Sequence, residues 1–275
     1  MPTLVKPAID RCLDIVSLLA EQVTPQPLGT IAEALDVPKS AAHRLLARLV
    51  DRGWVRQEAS TGFYGLTLRL TLLGQRFLHG TRLPHLYQPL LESLAQRTGT
   101  FVRLAVAEGE RLSWITEVQG AKGGLIYQPE MTTEIRLNVT ATGKAWLATM
   151  ADERAIALVL AQGFGGPPQF GPRAITTIEP FLAELQRTRE RGYGLAIDEG
   201  EAGVGVVAAV IREGEGAPAL GTVSAAAPLV RLPPERIAEL ARAVCETAAE
   251  LSVLWPLGDA RRAERATARQ ERRSM

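Results

Sequence analysis

The chain has 275 residues, 46% of them apolar and 22% charged, and a formal net charge of +1. Such a composition is that of an ordinary globular protein, which excludes disordered, collagen-like and polyelectrolyte classes, and the length suits two domains of unequal size. Two distant cysteines, Cys12 and Cys245, exclude a disulfide framework or thiolate metal cluster. With no readable secretory leader and no uncharged run of about 20 apolar residues, a cytoplasmic protein without membrane contact is expected.

Cys12, Ile15, Val16 and Leu19 recur at helical spacing up to the breaker-rich run Thr24 to Pro27. Leu28, Ile31, Ala32 and Leu35 predict a short second helix, with Thr30 and Glu33 at capping-box spacing. Asp36 and Val37 form a tight turn, and Pro38 suits the start of a third helix running to about Arg52. Two β-prone stretches, Trp54 to Gln57 and Phe63 to Leu66, flank a hairpin loop and make a wing. Leu66, Leu70, Leu73, Phe77 and Leu78 then repeat helically with no role in a closed three-helix core, as a linker helix would. The expected divisions are 1–66, a linker at 67–82, a larger domain at 83–258, and a basic, disordered tail at 259–275.

In the larger domain, Leu86 to Arg97 is helical, and Val102, Leu104 and Val106 alternate with Arg103 and Ala105 as a strand that turns back through Leu112 to Val118. Tyr127 to Gln128 and Ile135 to Val139 are weaker strand candidates. Helices at Gly143 to Met150, Asp152 to Gln162 and Ile178 to Arg191 precede strands at Gly194 to Ile197, Val204 to Ile211 and Leu220 to Ala226. Pro234 opens the last helix. Short turns between strands beside segregated helices indicate an α+β class with an antiparallel sheet.

The third helix carries the functional signal. Ala42, Leu45, Leu46, Leu49 and Val50 share one face, whereas Ser40, His43, Arg44, Ala47, Arg48 and Asp51 share the other. A helix crossing the major groove needs short polar residues near its start and arginines behind them, for base edges and phosphates respectively. Ten basic residues face seven acidic ones across positions 1–82, with Lys39, Arg44, Arg48, Arg52 and Arg56 concentrated at helix three and the wing. A solvated face would look the same on an isolated helix; the surrounding helix-turn-helix and wing favour double-stranded DNA. An interaction module that has lost DNA binding is the competing reading.

Gly203, Gly205 and Ala208 spell a dinucleotide-like pattern, but it enters a β-branched run where a helix is required. The three histidines, His43, His79 and His85, assemble neither a metal cluster nor a Ser/His/Asp arrangement. No enzyme activity, metal or cofactor is expected.

Val37-Pro-Lys-Ser-Ala-Ala-His-Arg-Leu-Leu-Ala-Arg-Leu, then Asp51-Arg-Gly-Trp-Val, resembles the turn and recognition helix of the IclR family of bacterial transcription regulators, with Ala41 replacing a threonine. Tyr64 through Leu73-Gly, Thr140-Ala-Thr-Gly-Lys-Ala-Trp, Arg191-Gly-Tyr, Glu199, Gly203-Val, Pro228 and Arg231 extend the resemblance over nearly the whole chain. It implies a GAF-like effector-binding domain and a homodimer, with tetramers in many members. The implied DNA contacts are Thr30, Lys39, Ser40, Ala41, His43, Arg44, Arg48, Arg56 and Thr61. The implied effector contacts are Leu104, Asn138, Thr140, Ala141, Thr142, Gly143, Ala196, Val204, Val206, Ser224 and Ala226. Where relatives carry paired acids, a cysteine, a proline and Ser-Gly, this chain has Ala196 and Ile197, Val206, Val210, and Ala226 and Ala227. Each change removes a polar group, so a mainly apolar effector such as an aromatic acid is expected, with its carboxylate near Gly143 at a helix start.

Overall fold

A computed structural model describes residues 6–255 apart from 23, 82, 130–134, 167–168 and 215, with only the backbone described at 78–81 and 83–85. The basic tail and its expected disorder therefore lie outside the described residues. The chain divides into two compact units, residues 1–81 and 82–275.

In the first unit, helices α1 (Ala8–Ala20), α2 (Leu28–Ala34) and α3 (Lys39–Asp51) precede a two-stranded wing, β1 (Val55–Gln57) antiparallel to β2 (Tyr64–Leu66). Their apolar stripes converge on one core of Ile15, Leu19, Ile31, Leu46, Leu49, Val55 and Tyr64. Asp36 takes φ 51° in the turn between α2 and α3, a left-handed conformation that Asp tolerates better than most residues. The capping box expected at Thr30 is absent: α2 begins earlier, at Leu28, with Pro27 in the cap position and no side-chain cap bond. The helical repeat expected as a linker forms α4 (Arg69–Thr81). Its start is fastened to the wing by Thr67, whose hydroxyl donates to the Gly53 carbonyl at 2.7 Å and accepts from Arg69 N at 3.2 Å. Arg69 adds a bond to the Arg52 carbonyl at 2.8 Å and lies 5.4 Å from the Trp54 ring centroid.

The second unit comprises α5 (Leu83–Thr98), β3 (Phe101–Glu108), β4 (Arg111–Gln119), α6 (Ala141–Leu147), α7 (Asp152–Gln162), α8 (Ile178–Arg191), β5 (Gly194–Ile197), β6 (Val204–Arg212), β7 (Ala219–Pro228) and α9 (Pro234–Leu254). The sheet is antiparallel throughout, in the order β4-β3-β7-β6-β5. Period-two alternation gives the inner strands β3, β6 and β7 two largely buried faces, whereas the edge strand β4 is mostly half-buried or exposed. Val102, Leu104, Val106, Val207, Ala209, Ile211, Val223 and Ala225 pack against α5 and α9. Ala105, Ala107, Ala196 and Ala208 face the α6, α7 and α8 side. Small residues let α6 lie directly on the sheet: a Cβ added at Gly194 would overlap the Ala141 carbonyl.

Two strand candidates were misplaced. Tyr127 to Gln128 is irregular, and Ile135 to Val139 runs into a tight turn whose Ile135, Leu137 and Val139 are buried. Burial explains the error, since a short apolar run reads alike as a strand or as a packed turn. Helix α6 also starts two residues earlier than expected, at Ala141.

Candidate functional site

On α3, Lys39, Ser40, His43, Arg44 and Arg48 are all exposed, while Ala41 is half-buried. Among the described residues, Lys39, Arg44 and Arg48 have no carboxylate partner. Two unneutralised arginines on one helix face, with Lys39 at the start of the helix, suit phosphates and base edges. Thr30 is exposed on the preceding helix, and Arg56 on the wing stands 3.7 Å from Glu58. Thr61 spends its hydroxyl on the wing's own turn, donating to Glu58 at 2.8 Å and accepting from Phe63 N at 3.1 Å.

In the second unit, the sheet face beneath α6 presents residues in rows set by the register. Ala196, Val206, Ala226 and Phe101 form one row; Gly194, Ala208, Ser224, Arg103 and Glu117 the next; Val210, Thr222, Ala105 and Trp114 a third. Of the expected effector residues, Ala196, Val206, Ser224 and Ala226 therefore share the sheet face on which Ala141 of α6 packs, and Val204 continues the alternation of Val206. Leu104 does not: its side chain belongs to the core on the opposite face, against α5 and α9. The alternation of β3 was read correctly, but the one β3 residue expected at the effector, Leu104, is on the other side of the sheet. The residues that do face α6 are Phe101, Arg103 and Ala105.

Three expected polar anchors are already engaged. Asn138 donates its amide to the carbonyls of Phe164 and Ile175 at 2.8 and 2.7 Å, bridging the loops that leave α7 and enter α8. Thr140 caps α6, accepting from Gly143 N at 3.0 Å and donating to the Arg136 carbonyl at 2.7 Å. Gly143 serves close packing, since a Cβ there would overlap the backbone of Leu137. The helix start is thus capped from within the chain. Two hydroxyls, Thr222 Oγ1 on this face and Thr142 Oγ1 on α6, are buried without any hydrogen-bond partner. An unpartnered buried hydroxyl costs about 1–3 kcal/mol.

Several site residues escaped sequence reasoning. Lys144 is fully buried, and its ammonium contacts both Glu199 oxygens at 2.6 and 2.8 Å and Glu184 at 3.5 Å. Glu184 is held further by Arg191 at 2.6 Å and Arg187 at 3.0 Å. Burial raises the Glu199 carboxyl above the ordinary range and outweighs the Lys144 ammonium. Burial acts in the same direction on Glu184, but Lys144, Arg191 and Arg187 together hold that carboxyl low. The signal was there in Lys144, a cation inside an otherwise apolar helix. Glu199 lies in the turn between β5 and β6, so this network ties α6 and α8 to that turn. Tyr127 reaches the same turn, donating to Glu201 at 2.9 Å, and its ring meets Phe101 edge-on at 5.9 Å. Burial, then the Glu201 carboxylate, pushes the Tyr127 hydroxyl far above its usual range.

A winged helix-turn-helix with an unneutralised basic face, joined to a sheet-and-helix unit with an orphaned hydroxyl on its sheet and another on α6, defines the class as a two-domain DNA-binding regulator. The IclR helix-turn-helix domain matches residues 8–59 and the family described as "Bacterial transcriptional regulator IclR C-terminal" matches residues 75–253, so the chain belongs to the IclR family of transcription regulators. It is 25% identical over 252 residues to the transcriptional repressor IclR of Escherichia coli K12, covering 90% of this chain and 89% of the repressor. An IclR-type regulator from Alicyclobacillus acidocaldarius shares the fold with TM-score 0.78 at 23% identity, over 91% of this chain and 99% of that one. An IclR homologue from Microbacterium hydrocarbonoxydans, solved in complex with 4-hydroxybenzoate, superposes with TM-score 0.73 at 22% identity, over 92% of this chain and all of the other. Like its family, the chain is a transcription regulator with a DNA-binding helix-turn-helix domain and a C-terminal effector-binding domain. No helix among the described residues is long and apolar enough to cross a membrane.

Proposed function

We propose that this chain is a cytoplasmic, non-enzymatic regulator that binds an operator as a homodimer, and that an aromatic or otherwise mainly apolar acid on the α6 face of the sheet sets its DNA occupancy. The observation that carries the first half is the outer face of α3, where Ser40, Arg44 and Arg48 stand exposed and the two arginines lack carboxylate partners among the described residues. Two such helices must reach half-sites about 34–36 Å apart, or a multiple of that, which calls for a second copy. Exposed apolar side chains on α1 and α4, with Leu13 62% and Phe77 68% exposed, offer the surface for it. For the second half, Ala196, Val206 and Ala226 make an apolar floor, and the unpartnered Thr142 and Thr222 hydroxyls leave hydrogen bonds for a guest. The 4-hydroxybenzoate in the Microbacterium homologue is of the same chemical class. A mobility-shift titration on the genomic DNA flanking the chain's own gene tests the reading. Salt-dependent binding to one segment over scrambled DNA supports it; no preference at any salt concentration favours the interaction module instead.

A further inference from the structure

Arg103 occupies a position that the effector face makes unusual. Its side chain is 11% exposed and its guanidinium lies 4.9 Å from the Phe101 ring centroid and 5.1 Å from that of Trp114. Glu117 is its counter-ion, taking Nε at 3.2 Å and Nη2 at 3.1 Å on a single oxygen. The other amino group, Nη1, makes no hydrogen bond among the described residues. Arg103 pairs in register with Ser224, and Phe101 with Ala226, so the guanidinium sits beside the apolar floor described above. The orphaned Thr222 hydroxyl is in the next row.

We propose that Arg103 is the carboxylate receptor of the effector site, and that Glu117 is an internal stand-in which the carboxylate of a single-ring aromatic acid replaces. This rests on the reading of that face as the effector site. A guanidinium presents a planar fork that matches a carboxylate with two parallel bonds, and aromatic rings on its flanks hold the fork in one plane. Burying it unpaired would be costly, so an empty site needs an anion of its own. Glu117 meets that need and is replaceable, because its side chain is 34% exposed and can turn to water. Neighbouring strands lie about 4.8 Å apart, so a ring anchored at Arg103 rests over Ala226 and reaches toward Val206, one to two strands away. A two- or three-carbon keto acid would satisfy the fork but leave that floor uncovered. The structure thereby moves the carboxylate from the capped start of α6 to β3.

The test is calorimetric titration of the full-length chain with benzoate, 4-hydroxybenzoate and 4-hydroxybenzamide, and with glyoxylate as the small-acid control. For wild type, 4-hydroxybenzoate should bind and the uncharged amide should bind at least about tenfold more weakly, as expected for losing a charge-assisted pair. Arg103→Gln should lose 4-hydroxybenzoate binding by a similar factor, and Glu117→Gln, which removes the competing anion, should tighten it. The amide comparison needs no variant, and Glu117→Gln leaves the buried cation in place, so a folding defect in Arg103→Gln would not decide the outcome. Equal affinity for acid and amide, or weaker acid binding by Glu117→Gln, would overturn the role of Arg103 while leaving an aromatic effector in place. Binding of glyoxylate with no response to either aromatic acid would overturn the aromatic reading itself, and this proposal with it.

Discussion

Among the described residues, replacing Lys144 by Met removes the only cation touching Glu199 and one of three touching Glu184. The two carboxylates therefore fare differently. Glu184 keeps Arg187 and Arg191, whereas Glu199 is left nearly buried beneath the turn between β5 and β6 with no compensating charge. Taking one partner from a buried pair costs about 3–5 kcal/mol, which for a unit of this size lowers Tm by roughly 6–20 °C. The pH dependence follows from the two carboxyls. Glu199, already raised by burial, rises further without the ammonium, so its favourable contribution is present below its unfolded value and is lost as pH climbs through the folded one. Glu184, held low, contributes above its unfolded value and loses that contribution as pH falls through the folded one; without Lys144 its shift shrinks. Both changes make the variant's deficit smallest in the acid range where Glu199 is neutral. Denaturant unfolding at about pH 7.5 and about pH 5, with Lys144→Met/Glu199→Leu alongside, reads the effect. The double variant removes both charges and should regain most of the loss. A single-variant loss under about 1 kcal/mol at neutral pH, or a deficit that deepens toward acid, would refute the assignment of Lys144 as the cation that holds this turn.

Three further outcomes are expected. Arg44→Ala should weaken operator binding by about 1–3 kcal/mol if it reads a base edge, or weaken all DNA alike with a salt slope lower by about 1 if it meets phosphate; fluorescence anisotropy on operator and scrambled duplexes separates the two. Leu73→Glu with Phe77→Glu should shift the chain from dimer to monomer in sedimentation equilibrium and weaken operator binding with it, because both side chains are exposed and lie about one turn apart on one face of α4. Thr140→Ala should cost about 1 kcal/mol of stability by removing the cap of α6, measured as a denaturation midpoint; an unchanged midpoint would count against the cap.

The DNA-binding unit was legible in the sequence because its elements are strongly periodic and locally punctuated. The apolar stripe of α3, the Asp36 turn and the two strands of the wing each announce themselves within a dozen residues. The α6 face was harder. It depends on which side of β3 meets which helices, and Val102, Leu104 and Val106 alternate equally well whichever way the strand is turned. Both faces of β3 are buried, so hydrophobicity could not choose between them, and Leu104, expected as an effector contact, lies on the face opposite Arg103. Polar pairings across long separations, such as Lys144 with Glu199 and Tyr127 with Glu201, leave no local periodic trace. Asn138 and Thr140 were expected as polar anchors for an effector, and in the structure their hydrogen bonds close within the chain.

The central claim is that one chain couples operator occupancy to an aromatic acid, and the most direct measurement is the affinity of the full-length protein for its operator with and without saturating 4-hydroxybenzoate. Coupling between the two sites requires the apparent Kd for DNA to change by about 5–150-fold in either direction, and by linkage requires operator DNA to change the affinity for the acid by the same factor. Tight, sequence-specific DNA binding that is indifferent to aromatic acids bound by the same protein would contradict it.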